Sequence, residues 1–251
     1  MDKQIAIYND WLIFFGRITL STLIIPILIG LYQRRILNKP LRLFLIYLIV
    51  GLIIGLLEQL FIWSATKYYP TLKPYLDYWK IEDSNFYQIL YYLKNFAFLG
   101  WFYSLLLSSS LGVWVKRVGA ILFIVALINY LFIEGYLVYG VFNPTADAVF
   151  AFALPLIYLG YLYRLDTMVP LSKNPYFWIS LGLVVPNLIS LIFHFVGNKL
   201  LETDFILFAK LTIAKNGITV IGHILIAIGF YYARYVNFLS PVDANTTPQY
   251  K

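Results

Sequence analysis

Lys210, Lys215, Asn216 and His223 all fall inside one hydrophobic stretch, from Asp204 to Phe230, that is long enough to cross a bilayer. Charged groups in hydrocarbon are costly, and they are normally turned towards partner helices or a watered cavity. At 3.6 residues per turn, Thr212, Asn216, Thr219 and His223 share one helical face, with Lys215 at its edge. Such a stripe is the wall of an intramembrane binding site. Arg17, Glu58, Lys94, Glu134 and His194 also fall in apolar runs, at depths within roughly 15 Å of one end of their helices. Four cations, Arg17, Lys94, Lys210 and Lys215, face two carboxylates, Glu58 and Glu134, so the expected pocket suits an anion: a carboxylate, a phosphate or an anionic amphiphile. Asn187, beside Pro186, adds a polar group where the helix lacks one backbone hydrogen bond.

Other chemistries find little in the chain. Two histidines without a His-Glu-x-x-His pattern argue against zinc. No nucleophile elbow is present, and no serine–histidine pairing marks a hydrolase. Lys215 as a retinal Schiff base lacks an acidic counter-ion on the third span. With no cysteine, thiolate sites and disulfides are excluded. The expectation is therefore a protein that is not an enzyme, with no metal and no cofactor.

The elements that must position these residues are transmembrane helices. The chain is 61% hydrophobic and 12% charged, an all-α integral membrane composition. Apolar runs at about 10–32, 43–66, 87–109, 118–140, 146–163, 176–197 and 205–234 predict a seven-helix bundle, with 238–251 as a short polar tail. The net charge of +7 reflects scattered topology signals rather than a nucleic-acid surface. Arg34, Arg35, Lys39, Arg42, Lys116, Arg117, Arg164, Lys173 and Arg234 gather on one set of connections. Most acidic residues, Asp77, Glu82, Asp83 and Asp147 among them, lie on the other. Positive charge marks the cytoplasmic side, so the N-terminus is expected outside and the C-terminus inside, in an inner (cytoplasmic) membrane. The 67–85 connection, with Pro70, Pro74 and several aromatics, reads as an interfacial segment or a cap.

Similar features recur in similar order in the two halves. Gly51-Leu-Ile-Ile-Gly parallels Gly182-Leu-Val-Val-Pro, and Lys94-Asn95 parallels Lys215-Asn216. This raises a 3+1+3 parallel repeat of the kind seen in PQ-loop sugar transporters, although neither half carries a Pro-Gln pair. The stretch from Lys173 to Gly182, KNPYFWISLG, together with Gly222-His223-Ile224 in the last span, resembles an uncharacterised seven-transmembrane-helix membrane protein family of Bacteroidota. That resemblance implies a small polytopic protein, in some members encoded near sensor kinases, and it assigns no site residue. Lys210 and Lys215 stand where the family has aromatic or uncharged side chains.

Three functions follow as expectations. The first is a sensor or receptor whose outward-facing pocket, shaped by Lys215, Glu58, Glu134 and Lys94, takes an anionic or amphipathic ligand and signals through a partner such as a sensor kinase. The second is a facilitative transporter using the stripe down to His223 as one wall of its path. The third is an accessory subunit with no small ligand.

Overall fold

The computed structural model describes residues 2–81, 84–135, 140–164 and 170–238; the side chains of 2–3, 194–199, 201–202 and 237–238 lie outside the description. The expected polar tail therefore falls outside it, apart from its first residue. The described residues are almost entirely helical, with short turns between the helices and no strands. The helices are α1 (Asp2–Thr22), α2 (Ile24–Tyr32), α3 (Lys39–Lys67), α4 (Tyr69–Tyr78), α5 (Gln88–Ser104), α6 (Ser109–Ile128), α7 (Phe142–Tyr163), α8 (Pro175–Thr203) and α9 (Phe205–Tyr231). Six stretches are long and apolar enough to span a membrane: α1 with α2, α3, α6 with its following π-turn, α7, α8 and α9. This is the pattern of a multi-pass membrane protein.

The boundaries follow from local chemistry. α1 and α2 are one helix broken at Leu23, because Pro26 has no N–H for the Thr22 carbonyl and the Thr19 and Thr22 hydroxyls bond back to Phe15 and Thr19 carbonyls. Asn38 starts α3 by accepting the Leu41 N–H, with Pro40 in the first turn. Asn174 does the same for α8, ahead of Pro175. The third apolar run, expected at 87–109, is a shorter helix of 17 residues, because the chain turns at 105–108 and Ser108 begins α6. Lys116 and Arg117 consequently lie within α6 and not in a loop. Asp147 likewise lies inside α7, which starts at Phe142 rather than near 146. The interfacial segment contains α4, none of whose residues is buried.

Packing closes six of these elements into a ring. α9 packs against α8 and against α1–α2, α8 against α7, α7 against α5, α5 against α3, and α3 against α2. α6 sits outside the ring against α5. The tightest crossing is α8 on α9, where a side chain at Gly222 would meet the Gly182 carbonyl oxygen at 2.6 Å and the Pro186 ring at 2.6 Å. The Gly182 carbonyl is the one Pro186 leaves without a helical partner, and it lies against the Gly222 backbone.

The end of the ring that carries Arg34, Lys39, Arg42, Lys173 and Arg234 is filled by aromatics. Phe44 stacks on Phe102 at 4.8 Å and lies 6.2 Å from Phe230, while Tyr176 lies 6.2 Å from Phe102 and 6.3 Å from Tyr158. Tyr103 adds a hydrogen bond to Ser180 at 3.0 Å, and Tyr176 pairs with Asn38. These rings come from α3, α5, α7, α8 and α9 and are all buried. They form a floor across the basic end, and large offset aromatics fill such a space with few voids.

Candidate functional site

Above this floor the ring encloses a cavity of about 370 Å³, lined from α1, α3, α5, α8 and α9. That size falls at the small end of ligand sites. Asn216, Thr219 and His223 supply one wall, so the 3.6-residue stripe faces inward over three of its four members; Thr212 is not part of the lining. Asn187 and Ser190 on α8, Tyr47 on α3, and Tyr91 and Lys94 on α5 complete the polar lining.

Lys94 is the cation of the cavity. Its Nζ lies 4.3 Å from the Tyr47 ring centre and 5.6 Å from that of Tyr91. Gly51 makes room for it, since a Cβ there would sit 3.1 Å from Nζ. Among the described residues no carboxylate pairs with this amine and no hydrogen bond occupies it; the two rings are its close partners. Both flanking tyrosines lead to acidic groups. Tyr47 donates to Asn95 Oδ1 at 3.0 Å, and the Asn95 amide donates to both Asp147 oxygens at 2.8 and 3.0 Å. Tyr91 donates to Glu58 Oε2 at 3.0 Å, and Ser84 donates to Oε1 at 3.0 Å. The two carboxylates therefore stand one side chain behind the cation. The amine itself is left for an incoming group.

The other polar atoms divide by what they have left to offer. Thr22 donates its hydroxyl proton to the Thr19 carbonyl, so its 3.0 Å contact with His223 Nδ1 makes that nitrogen the donor and leaves Nε2 as an acceptor. Thr219 donates to the Lys215 carbonyl, and Asn187 gives one amide hydrogen to the Leu183 carbonyl, keeping the second. Asn216 and Ser190 have no protein partner among the described residues. An ammonium, unspent amide and hydroxyl donors and two aromatic faces together suit a small carboxylate, or the anionic head of an amphiphile.

The remaining sequence candidates lie elsewhere. Lys215 is rotated one position past Asn216 and rests 5.1 Å over the Phe193 ring of α8, outside the cavity lining. Arg17 is exposed on α1, and Lys210 is exposed with its amine 5.8 Å from the Tyr8 ring. Glu58 is behind Tyr91. The side chain of His194 lies outside the described residues. Glu58 and Glu134 are each held by hydrogen bonds from neutral donors. Asp147, expected on a connection, and Asn95, singled out only as the neighbour of Lys94 in the repeat, are the residues beside the cavity that spacing does not mark as site members.

Glu134 belongs to the connection between α6 and α7, beyond the spanning segment. Its Oε1 accepts the N–H groups of Val141 and Phe142 at 3.1 and 3.0 Å, and its Oε2 accepts the Asn129 amide at 2.6 Å. It caps α7. Partial burial alone would push the carboxyl up, but the bonds from Phe142, Asn129 and Val141 outweigh it and hold the pKa below the ordinary glutamate value. A depressed carboxyl contributes stability above its unfolded pKa, near 4.3, and loses it as pH falls through the folded value. Glu134→Gln is therefore expected to cost about 1 kcal/mol at pH 7, the scale of a lost cap, and to converge with the wild type in thermal unfolding scans as pH falls through the folded value.

Comparison with known proteins finds no matching family model, no matching curated protein and no matching solved structure.

Proposed function

We propose that this protein is a sensor-type receptor of the inner (cytoplasmic) membrane, a seven-helix bundle with its N-terminus outside. Its central cavity takes an anionic or amphipathic small molecule from the outer side and reports occupancy to a partner such as a sensor kinase. The observation that carries this reading is Lys94, an ammonium in the cavity with no carboxylate in direct contact among the described residues, above an aromatic floor. A buried cation is penalised heavily unless an anion reaches it, so ligand binding and charge compensation coincide here. The floor supports a dead-end pocket over a path, and the concentration of Lys and Arg at the floor end supports its cytoplasmic placement. In this reading α5, lengthened by the short turn Asn85–Tyr87, is the seventh span.

Transport is the second reading, and the ring supports it. With α6 set outside, the elements before and after it follow one another around the ring in the same order, as a 3+1+3 duplication requires. A transporter must open the floor in a second state, whereas a receptor need not.

Thermal stabilisation of purified protein separates a ligand site from a structural lysine. Short- and medium-chain carboxylates are expected to raise the unfolding temperature more than their neutral amides. A site near 100-fold saturation gives about 2.7 kcal/mol. Lys94→Met is expected to fold and to lose this difference. Equal responses to acid and amide, or an unchanged response in Lys94→Met, would rule the anion site out.

A further inference from the structure

On the outer surface of the ring, between α3 and α5 at the basic end, lies a second groove of about 410 Å³. Its walls are apolar, from Leu43, Ile46, Trp101 and Leu105, and its mouth carries Lys39 and Arg42. It is separate from the central cavity, to which α3 presents Tyr47, Leu48 and Gly51. We infer that this groove is a binding site for an anionic phospholipid, one acyl chain lying along Ile46 and Trp101 and the phosphate held by Lys39 and Arg42.

Four observations lead there. Arg42 is prepositioned: its Nε donates to the Leu37 carbonyl at 2.8 Å, which leaves the terminal nitrogens of the guanidinium without a protein partner among the described residues. Neither Arg42 nor Lys39 pairs with a carboxylate among the described residues. The mouth also coincides with the N-terminal end of α3, whose helix dipole favours negative charge. Ile46 and Trp101 are 49% and 44% exposed, on a face that hydrocarbon covers in a membrane, and the indole N–H of Trp101 has no protein partner among the described residues. An apolar slot whose walls run four to five residues on each helix, roughly 6 Å, below two cations matches the order of parts in a phospholipid and not that of a soluble anion. The rim is stiff as well, because Asn38 is held by two hydrogen bonds with the Tyr176 hydroxyl.

The test is native mass spectrometry of the full chain, titrated in neutral detergent with phosphatidylglycerol, phosphatidylcholine or glycerol phosphate. One phosphatidylglycerol is expected to be retained with on the order of tenfold preference over phosphatidylcholine, the scale of two juxtamembrane cations, and glycerol phosphate is not expected to compete. Lys39→Gln with Arg42→Gln should reduce that preference to near unity, whereas Arg34→Gln with Arg35→Gln, which removes equal charge from the same end outside the groove, should leave it. Should Arg42→Gln fail to fold, Lys39→Gln combined with Ile46→Trp, which fills the slot, decides instead. Equal retention of the two lipids by the wild type overturns the proposal. So does a preference that survives in the groove variants, or one lost equally in the Arg34/Arg35 variant. Competition by glycerol phosphate would show an anion site without a lipid.

Discussion

Asn95→Leu is expected to destabilise the bundle by about 3 kcal/mol, far more than the loss of one hydrogen bond. Among the described residues Asn95 is the sole hydrogen-bond donor to Asp147, giving its amide to both carboxylate oxygens, and it also receives the Tyr47 hydroxyl. Leucine would leave a carboxylate between α5 and α7 without a donor and a tyrosine hydroxyl without an acceptor. Stranding a buried charge costs roughly 3–5 kcal/mol, whereas replacing both partners by apolar groups is often close to neutral. Asn95→Leu with Asp147→Leu should therefore recover much of the stability lost in Asn95→Leu alone. Denaturant unfolding in mild detergent measures the cycle. Additive losses in the double variant would show that the two residues do not act as a unit.

The second large effect is expected at the α8–α9 crossing. Gly222→Val should cost about 3 kcal/mol or more, because its Cβ would meet the Gly182 carbonyl and the Pro186 ring at 2.6 Å. Neither can swing aside. Helix pairs in membranes associate through such close approach of small residues, so the crossing must widen along its length. Gly217→Ala, on the same helix with nothing within 4 Å, is expected to be neutral or slightly stabilising. Similar unfolding midpoints for the two variants would contradict the packing account.

The all-helical, membrane-spanning character was legible in composition and in the length of the apolar runs. Where helices began was less so. The run at 87–109 reads as one span and the Asn143-Pro144 pair as a connection, yet Ser108 starts a second helix and Pro144 sits in the first turn of another, a position that tolerates its missing N–H. Asp147 reads as one of the carboxylates of a connection, yet it lies within α7 as the half-buried partner of Asn95. In the last span the period of the stripe was in the sequence. Its phase was not: Lys215 and Asn216 differ by about 100° around the axis, and only packing against α8 decides which of them faces the cavity. Lys94 and Lys215 looked equivalent by spacing. They differ because Gly51 leaves space for the Lys94 amine, while Phe193 covers that of Lys215.

In the proposed receptor the cavity is reached from the end opposite the aromatic floor. The chain contains no cysteine, so a single Ser190→Cys gives a thiol on the cavity wall without background. A membrane-impermeant thiol reagent is applied to either face of oriented vesicles, with Ser172→Cys marking the basic end. Labelling of residue 190 only from the face opposite that marker, slowed by a stabilising carboxylate, is the predicted result. Labelling from the marker's own face, or from neither face, would contradict the account.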